Sequence, residues 1–308
     1  MYLVTGGAGF IGSHIVERLV SEGQPVRVID NFFTGKRRNL EPFAGRCEVV
    51  EGSLLDESTL RRAMQGVQFV LHQAAIPSVP RSIANPSATN EANVTGTLNV
   101  LLAARDAGVR RVVMASSSSV YGDSPTLPKV ESMPTNPKSI YAASKLIGEH
   151  YARVFHNVFN LSVVCLRYFN VFGPRQDPHS EYAAVIPKFI KMIRAGVSPT
   201  VHGDGLQTRD FTYIDNVVDA NLQAARAPRT PDGLVCNIAC GERVSILDLI
   251  ERVNAILGTA VKPEFVASRA GDVKHSLADI SLARDTFGYA PRVTLDEGLR
   301  RTEESLRD

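Results

Sequence analysis

Short apolar stretches alternate with longer helical patterns along the first half of the chain. The apolar stretches are YLVTG, PVRVID, CEVVEG, FVLHQAA and RVVMASS. The helical patterns between them include Ser13 to Glu22, Leu54 to Met64 and Asn93 to Ala107. This alternation is typical of βαβ units, in which the strands run parallel and helices cover both faces of the sheet. The sequence therefore predicts an α/β fold with a doubly wound parallel sheet.

The texture of the sequence changes after Gly173, where prolines and glycines become frequent and the elements shorten. With 308 residues the chain is long enough for one large domain or two modest ones. We predict a dinucleotide-binding domain over residues 1–172 and a smaller C-terminal α/β substrate domain over residues 173–308. A segment at roughly 209–240 is expected to return to the first domain.

A glycine loop, VTGGAGFIGSH, follows the first strand and opens the first helix. Gly6, Gly9 and Gly12 allow a tight turn and the close approach of a pyrophosphate to the backbone, and the helix start offers unpaired N–H groups. Asp30 ends the second strand, 18 residues beyond Gly12. An acidic residue there accepts hydrogen bonds from an adenosine ribose and repels a 2′-phosphate, so we predict NAD as the cofactor.

Three basic residues soon after Asp30 leave NADP as the alternative cofactor. They are Lys36, Arg37 and Arg38, and a solvated basic loop is the simpler interpretation of them.

Overall composition excludes several classes of protein. A net charge of +2 argues against nucleic acid or an anionic membrane as the main partner, and no apolar run reaches the ~18 residues of a membrane span. The N-terminus enters a strand directly, without a secretory pattern, so we expect a cytosolic enzyme. The four cysteines and seven histidines lack metal-ligand spacing, which predicts reduced, structural cysteines and no metal site.

Tyr141 and Lys145 lie four residues apart in SIYAASKLIGEHY, which has the pattern of an amphipathic helix. Residues with this spacing share one helix face, so the ammonium group can sit close to the phenol. A nearby cation lowers the pKa of a tyrosine and makes it usable as an acid and a base. The same spacing also arises by chance on surface helices, and the rest of the chain has to decide between the two interpretations.

The glycine loop, SSSSVYG and YAASK together resemble the extended short-chain dehydrogenase/reductase family, which has a Rossmann fold. The resemblance continues through HQAA, NVTGT, LRYFNVFGPRQ, GDGLQTRDFTYIDN and RAGDVKHSLAD, and is closest to UDP-hexose 4-epimerases of the branch that handles N-acetylated sugars. It implies bound NAD, a UDP-sugar substrate, a homodimer, and hydride transfer to and from C4 through a 4-keto sugar.

The resemblance also implies roles for individual residues. The catalytic group is Ser117, Tyr141 and Lys145, with Ser118 as a possible stand-in for Ser117 because the serine run leaves the register open. The implied cofactor contacts are Gly6, Gly9, Phe10, Ile11, Gly12, Asp30, Asn31, Thr34, Gly35, Ser53, Leu54, Ala74, Ala75, Asn93, Tyr141, Lys145 and Tyr168. Ser53 replaces the acidic residue usual in the family, so the Leu54 backbone is the alternative contact for the adenine amino group.

For the nucleotide sugar, the resemblance implies contacts from Ser117, Ser118, Asn170, His202, Arg209, Arg269, Asp272 and Ser276. Asn170 and Arg209 are assigned to the diphosphate, Arg269 to the phosphate, Asp272 to the uridine ribose and His202 to uracil. Ser276 occupies a position where relatives restricted to plain hexoses carry a bulky tyrosine. We therefore expect room for an acetamido group, with Ser78 or Arg81 as alternative determinants of specificity.

Four alternative functions remain at this point. Dehydratases and UDP-glucuronate decarboxylases of the same family carry an acidic residue soon after the catalytic serine or threonine, whereas this chain has Ser118, Ser119 and Val120 there. A uronate epimerase is a further enzymatic alternative. A non-catalytic dinucleotide sensor would have no need to keep Ser117, Tyr141 and Lys145 together.

Overall fold

The computed structural model describes residues 1–177, 185–231, 233–267 and 274–307. Its strands are β1 (Tyr2–Thr5), β2 (Val26–Asp30), β3 (Glu48–Glu51), β4 (Phe69–His72), β5 (Arg111–Ser117), β6 (Val163–Tyr168), β7 (Val171–Phe172), β8 (Thr200–His202), β9 (Thr208–Arg209), β10 (Thr212–Tyr213), β11 (Leu234–Ile238), β12 (Val244–Ser245) and β13 (Glu264–Val266). Its α-helices are α1 (Phe10–Ser21), α2 (Glu57–Ala63), α3 (Val79–Ala84), α4 (Pro86–Asn90), α5 (Gly96–Asp106), α6 (Ile140–Phe159), α7 (Val185–Arg194), α8 (Ile214–Arg226), α9 (Ile246–Leu257), α10 (Ser281–Phe287) and α11 (Leu295–Glu304).

Seven strands form the central sheet in the order β11-β6-β5-β4-β1-β2-β3, and every neighbouring pair is parallel. The predicted doubly wound parallel sheet is therefore confirmed. Strand order reverses between β1 and β4, so the loops that leave these two strands diverge and open a crevice at the carboxyl edge. Three two-stranded sheets, β10 with β7, β12 with β9 and β13 with β8, lie outside the central one.

Alternate residues of the inner central strands face opposite layers of the core, whereas the edge strand β3 is mostly exposed. Tyr2 and Val4 pack in the layer with Ile15 of α1 and Val217 of α8, whereas Leu3 packs in the layer that contains helices α2, α5 and α6. The strands read as continuous apolar runs because both faces are covered. Burying one such side chain contributes about 1.5–3 kcal/mol, so the sheet is a rigid base for the loops at its edge.

Helix boundaries differ from the sequence prediction where local hydrogen bonds decide them. Helix α2 begins three residues after the predicted Leu54, because the Asp56 carboxylate accepts hydrogen bonds from the N–H groups of Ser58 and Thr59 and so caps the helix. The segment predicted as a helix from Asn93 starts with a π-helical turn, Glu91–Thr95, that runs into α5.

Strand β11 pairs with β6, so residues 234–238 lie in the central sheet. The division near residue 172 stays a prediction.

Among the described residues, no helix combines the length and apolar character needed to cross a membrane. Within the same ranges, no cluster of three or more His, Cys, Asp or Glu side chains is placed to hold a metal ion.

Candidate active site

The glycine loop brings the carboxyl ends of β1 and β4 into contact. Gly6 has a φ of +67°, and a Cβ atom there would lie 2.7 Å from the backbone N and Cα of Ala74. A Cβ atom on Gly12 would lie 2.2 Å from the Gly6 carbonyl oxygen. A side chain at either position would collide with backbone, so glycine is required at both. The turn thus leaves a shallow cradle of bare backbone at the crevice.

Helix α1 begins at this cradle with its first N–H groups open. Gly9 is its N-cap residue and supplies no side-chain hydrogen bond, and the first turn contains no acidic side chain. Unpaired N–H groups and the positive end of the helix dipole favour an anion at this position. The cradle and the helix start therefore suit a pyrophosphate.

A cavity of about 400 Å³ extends from the cradle along the carboxyl edge of the sheet. Fifteen of the predicted cofactor residues line it, namely Gly6, Gly9, Phe10, Ile11, Gly12, Asp30, Asn31, Thr34, Ser53, Leu54, Ala74, Ala75, Tyr141, Lys145 and Tyr168. Gly35 and Asn93 are absent from the lining. A Cβ atom on Gly35 would lie 2.9 Å from the Asp30 carboxylate, and the buried Asn93 side chain holds the backbone of Ile76, which does line the cavity.

Two backbone N–H groups, one of them in the glycine loop, hold the Asp30 side chain in place. Its carboxylate accepts hydrogen bonds from the N–H groups of Ala8 at 2.9 Å and Phe32 at 2.8 Å. Burial raises the pKa of this carboxyl group, and the two N–H donors oppose the shift. Asp30 lines the cavity and each carboxylate oxygen can accept a further hydrogen bond, which suits the hydroxyls of a ribose.

Two of the three basic residues after Asp30 are paired with carboxylates. Lys36 Nζ lies 3.0 Å from Asp177, and an Arg37 Nη lies 2.6 Å from Glu51. Both pairs are solvent-exposed and therefore weak, so the choice of NAD depends on Asp30 rather than on these pairs.

The far end of the cavity is lined by Ser53 and Leu54. The Ser53 hydroxyl accepts a hydrogen bond from the N–H of Leu55 at 3.2 Å, and the Leu54 carbonyl accepts one from Asn99 at 3.0 Å. Both groups have capacity for one further hydrogen bond. The adenine contact expected of Ser53 or the Leu54 backbone stays a prediction.

Ser117, Tyr141 and Lys145 meet beside this cavity. Ser117 ends β5, and Tyr141 lies in the first turn of α6, where Ser139 caps the helix by accepting the N–H of Ala142 at 3.1 Å. The Tyr141 hydroxyl is hydrogen-bonded to Ser117. Lys145 donates to the Ala115 carbonyl at 3.0 Å, and its Nζ lies 5.9 Å from the centre of the Tyr141 ring. The structure therefore brings together the three side chains that the sequence singled out.

The expected lowering of the Tyr141 pKa is wrong for this structure. Burial raises the pKa of Tyr141, and the hydrogen bond from Ser117 only partly offsets it. Burial also lowers the pKa of Lys145 to about 8. The ammonium is turned toward the Ala115 carbonyl rather than the phenol oxygen, so its charge does not compensate for the loss of water around the phenol.

The serine run continues into a 3₁₀ turn, Ser118–Tyr121. Ser117 Oγ accepts hydrogen bonds from the N–H of Ser119 at 3.2 Å and its hydroxyl at 2.9 Å. Ser118 is half-buried and follows directly in the turn. Of the two serines considered, Ser117 is the one in contact with Tyr141.

Three predicted substrate residues share one neighbourhood. Asn170, at a φ of +34°, donates from its side chain to the Asp210 carbonyl at 3.1 Å, next to Arg209. The N–H of Ser276 donates to the carbonyl of Thr208 at 3.1 Å, and Thr208 is the residue that precedes Arg209. His202 is the last residue of β8, and its Nδ1 is hydrogen-bonded to the Ala267 carbonyl oxygen at 3.1 Å. Arg269 and Asp272 lie outside the described residues.

Two polar clusters at the site escaped the sequence prediction. Gln73 lines the cavity and accepts a hydrogen bond from the Tyr168 hydroxyl at 3.1 Å, and both contact Asn221 of α8. Asp210, fully buried, accepts the N–H groups of Cys240, Gly241 and Ala278, and burial raises its pKa to about 6. Both clusters join residues far apart in sequence, so no local pattern marks them.

The described residues fit a dinucleotide. The backbone cradle that a Cβ atom would fill, the open helix start and the fixed carboxylate of Asp30 match pyrophosphate and ribose in that order. Fold and site together define a dinucleotide-dependent enzyme, in which Ser117, Tyr141 and Lys145 lie together beside the cofactor cavity.

Comparison with known proteins identifies the family. The profile of the NAD dependent epimerase/dehydratase family matches residues 2–239, and the chain belongs to that family. A UDP-glucose 4-epimerase from Mycolicibacterium smegmatis is 39% identical over 99% of this chain and 98% of its own length.

Solved structures agree with this assignment. A UDP-N-acetylglucosamine 4-epimerase from Methanobrevibacter ruminantium, solved with UDP-N-acetylmuramic acid, is 40% identical with a TM-score of 0.95 and covers 99% of this chain and 97% of its own. A Thermus thermophilus UDP-glucose 4-epimerase solved with NAD is 36% identical with a TM-score of 0.89 over 99% and 98% of the two chains.

Proposed function

We propose that this protein interconverts UDP-sugars that differ in configuration at C4, with NAD as its resident cofactor. The observation that carries the proposal is the meeting of Ser117, Tyr141 and Lys145 beside a cavity built for a dinucleotide. The similarity to UDP-hexose 4-epimerases over nearly the full length of the chain supports it.

NAD held by the glycine loop and Asp30 would supply reversible hydride transfer at C4 of the sugar. Tyr141 removes the proton of the 4-hydroxyl group and later gives it back. Ser117, which is hydrogen-bonded to the Tyr141 hydroxyl, holds the phenol oxygen in place and offers a second polar contact for the sugar oxygen. The 4-hydroxyl oxygen of the bound sugar would give the buried Tyr141 hydroxyl the hydrogen-bond partner that water provides to an exposed tyrosine.

Lys145 supports the proton transfer by its charge. It uses one of its three N–H donors on the Ala115 carbonyl, which leaves two for the phenol and the cofactor ribose. A pKa of about 8 leaves the amine mostly protonated at neutral pH. Reorientation of the ammonium toward the phenol would favour the phenolate form of Tyr141.

On the substrate side, Arg209 and Asn170 are proposed to bind the diphosphate, and His202 is proposed to contact uracil. The planar guanidinium of Arg209 can make bidentate hydrogen bonds to a diphosphate. Arg269 for the phosphate and Asp272 for the ribose complete the proposed set from outside the described residues.

The alternatives within the family are disfavoured by the residues after Ser117. Ser118, Ser119 and Val120 offer no carboxylate to remove a C5 proton or assist a decarboxylation. A uronate epimerase would share the same catalytic group and differ in the sugar it accepts. A dinucleotide sensor would bind NAD without turnover.

Product analysis with a panel of UDP sugars tests the proposal. We expect conversion between UDP-glucose and UDP-galactose or between their N-acetylated counterparts, without added reductant. NAD is expected on release from the denatured protein. Turnover of UDP-glucuronate alone, a dehydrated or decarboxylated product, or a predominance of NADP would reject the proposal.

Ser276 is proposed to admit N-acetylated sugars. Its half-buried side chain lies on the strand of backbone that pairs with Thr208, next to Arg209. A serine leaves space that a phenol ring would fill, and an open pocket permits the larger sugar without requiring it. Ser276→Tyr is expected to reduce kcat/KM selectively for the acetylated pair. Unchanged discrimination, or no acetylated turnover by the parent, would assign specificity to another residue such as Ser78 or Arg81.

We further propose a cytosolic homodimer that uses the outer face of α6. Val154, Val158 and Phe159 on this helix are 49%, 65% and 43% exposed. Val154 and Val158 lie one turn apart on the same face of α6, and Phe159 adjoins that face at the end of the helix. Exposed large apolar side chains that lie close together are typical of a surface covered by a partner, and a second copy with the same surface is the simplest occupant.

A further inference from the structure

A connected set of buried hydrogen bonds lies beneath the dinucleotide cavity, and the proposed chemistry makes no use of it. Its centre is His72, the last residue of β4, which is 4% exposed. His72 Nδ1 lies 2.7 Å from the Thr5 hydroxyl, and His72 Nε2 lies 3.0 Å from the Thr97 hydroxyl. Both threonines are buried.

Counting protons fixes the direction of these bonds. Thr97 has one hydroxyl proton and donates it to the Asn93 carbonyl at 2.6 Å, so its oxygen must accept from His72 and Nε2 must carry hydrogen. On the other side, Thr5 Oγ1 accepts the N–H of Ala74 at 3.3 Å, and its own proton is free to point at Nδ1. The neutral Nε2–H tautomer satisfies every partner.

An imidazolium would break this arrangement. A proton on Nδ1 would face the Thr5 hydroxyl proton, which has no second acceptor among these groups. The Lys145 ammonium lies close enough to oppose a second positive charge, and burial together with that charge lowers the His72 pKa to about 3. His72 is therefore a fixed neutral group.

The two ends of the chain of bonds reach the two halves of the site. At one end Ala74 lines the cavity against Gly6. At the other end the Asn93 side chain accepts the N–H of Ile76 at 2.7 Å and donates to Ser144 at 3.1 Å. Ser144 in turn donates to the Tyr141 carbonyl at 2.7 Å.

We infer that His72 is a positioning residue which, as the neutral Nε2–H imidazole, sets the cavity floor at Ala74 relative to the helix that carries Tyr141 and Lys145. The inference rests on the proposed function, because that function requires the floor and the helix to meet bound dinucleotide and sugar at a fixed spacing. Thr5, Thr97 and Asn93 act through the same chain of bonds.

A long-range ¹H–¹⁵N spectrum of the parent protein tests the tautomer without any variant. We expect hydrogen on Nε2 and none on Nδ1, unchanged from about pH 6 to pH 8 because this range lies well above the lowered pKa. The His72→Gln variant identifies the signal by its loss. Hydrogen on Nδ1, or an imidazolium within that range, would overturn the inference.

Thr97→Val tests the positioning role against a closely matched control, Thr302→Val. Both threonines are buried, and both donate to a carbonyl four residues earlier at 2.6 Å, Thr97 to Asn93 and Thr302 to Gly298. Only Thr97 also accepts from His72. The two variants should therefore lose similar stability, and any difference in cofactor handling reports the chain of bonds.

We expect Thr97→Val to exchange bound NAD for labelled NAD about tenfold faster and to lose about tenfold in kcat, with KM for the UDP-sugar changed less than about threefold. Thr302→Val should match the parent in both. His72→Asn, whose amide can still accept from Thr5 but cannot reach Thr97, should resemble Thr97→Val.

Parent-like NAD exchange in both Thr97→Val and His72→Asn would overturn the inference, whatever their activity. If Thr97→Val fails to fold, His72→Asn and the tautomer decide the question. The parent could show the expected tautomer and the variants the expected faster NAD exchange, while the parent epimerises no UDP-sugar. That result would reject the proposed function and still support the positioning role.

Discussion

Tyr141 is the residue whose role is most directly testable. Tyr141→Phe keeps the ring and its packing and removes the phenol hydroxyl that interacts with Ser117. Loss of a general acid and base typically costs on the order of 10²- to 10⁴-fold in rate, so we expect kcat to fall by that amount while NAD stays bound. Single-turnover assays of the NAD-loaded variant measure the effect. Epimerisation at the parent rate by a variant that still binds substrate would exclude Tyr141 as the base.

Lys145 makes a prediction about pH. Burial lowers its pKa from 10.5 to about 8, so between these values the unfolded chain binds more protons than the folded one, and this residue makes stability rise with pH. A difference of that size corresponds to about 3 kcal/mol at most. Urea unfolding of the NAD-free parent and of Lys145→Met is measured at about pH 7.5 and about pH 10. Between these pH values the free energy of unfolding of the parent should rise relative to that of the variant. Identical pH slopes would contradict it.

At the scale of elements, a buried ion pair ties β5, α6 and β6 together. Glu149 accepts two hydrogen bonds from Arg167, at 2.8 and 2.7 Å, and one from Ser116 at 2.5 Å. The Arg167 guanidinium also lies 4.6 Å from the centre of the Tyr121 ring. These elements carry Ser117, Lys145 and Tyr168, so the ion pair holds three parts of the site in register.

We expect Glu149→Leu to lower the free energy of unfolding by about 3–5 kcal/mol, because it leaves the Arg167 charge buried and unpaired. Adding Arg167→Met should recover part of that loss. Arg61→Ala, which removes the exposed pair with Glu57, serves as a control and should change stability by less than about 1 kcal/mol. Urea denaturation gives all three values, and a double variant no better than Glu149→Leu would argue against the charge as the cause.

The sequence predicted the elements that repeat a local pattern. Strands β1, β2, β4 and β5 and the glycine loop follow from apolar runs and glycine spacing, and the Tyr141 helix follows from its periodicity. The start of α2 escaped prediction because a single side chain, Asp56, decides it. The neutral His72 and the buried Asp210 escaped because their partners are distant in sequence, and the raised Tyr141 pKa because burial depends on the whole fold.

At the scale of the whole molecule, the proposed dimer can be tested by charge. Val158→Glu places a carboxylate on the exposed apolar face of α6 and is expected to shift the protein toward monomer in sedimentation velocity runs. Val197→Glu is the matched control, because Val197 is 51% exposed and lies outside that helix. A parent that sediments as a monomer at micromolar concentration, or equal effects of both variants, would contradict an α6 interface.

The crevice between β1 and β4 separates two kinds of constraint. On the cofactor side, Gly6 and Gly12 sit where backbone touches backbone, so almost any substitution there collides with atoms that cannot move aside. Ser276 and Arg209, which are proposed to contact the substrate, belong to short strands and loops outside the central sheet. If the proposed substrate residues are correct, we expect point changes in those loops to alter the sugar that is accepted, while the glycine loop tolerates few changes.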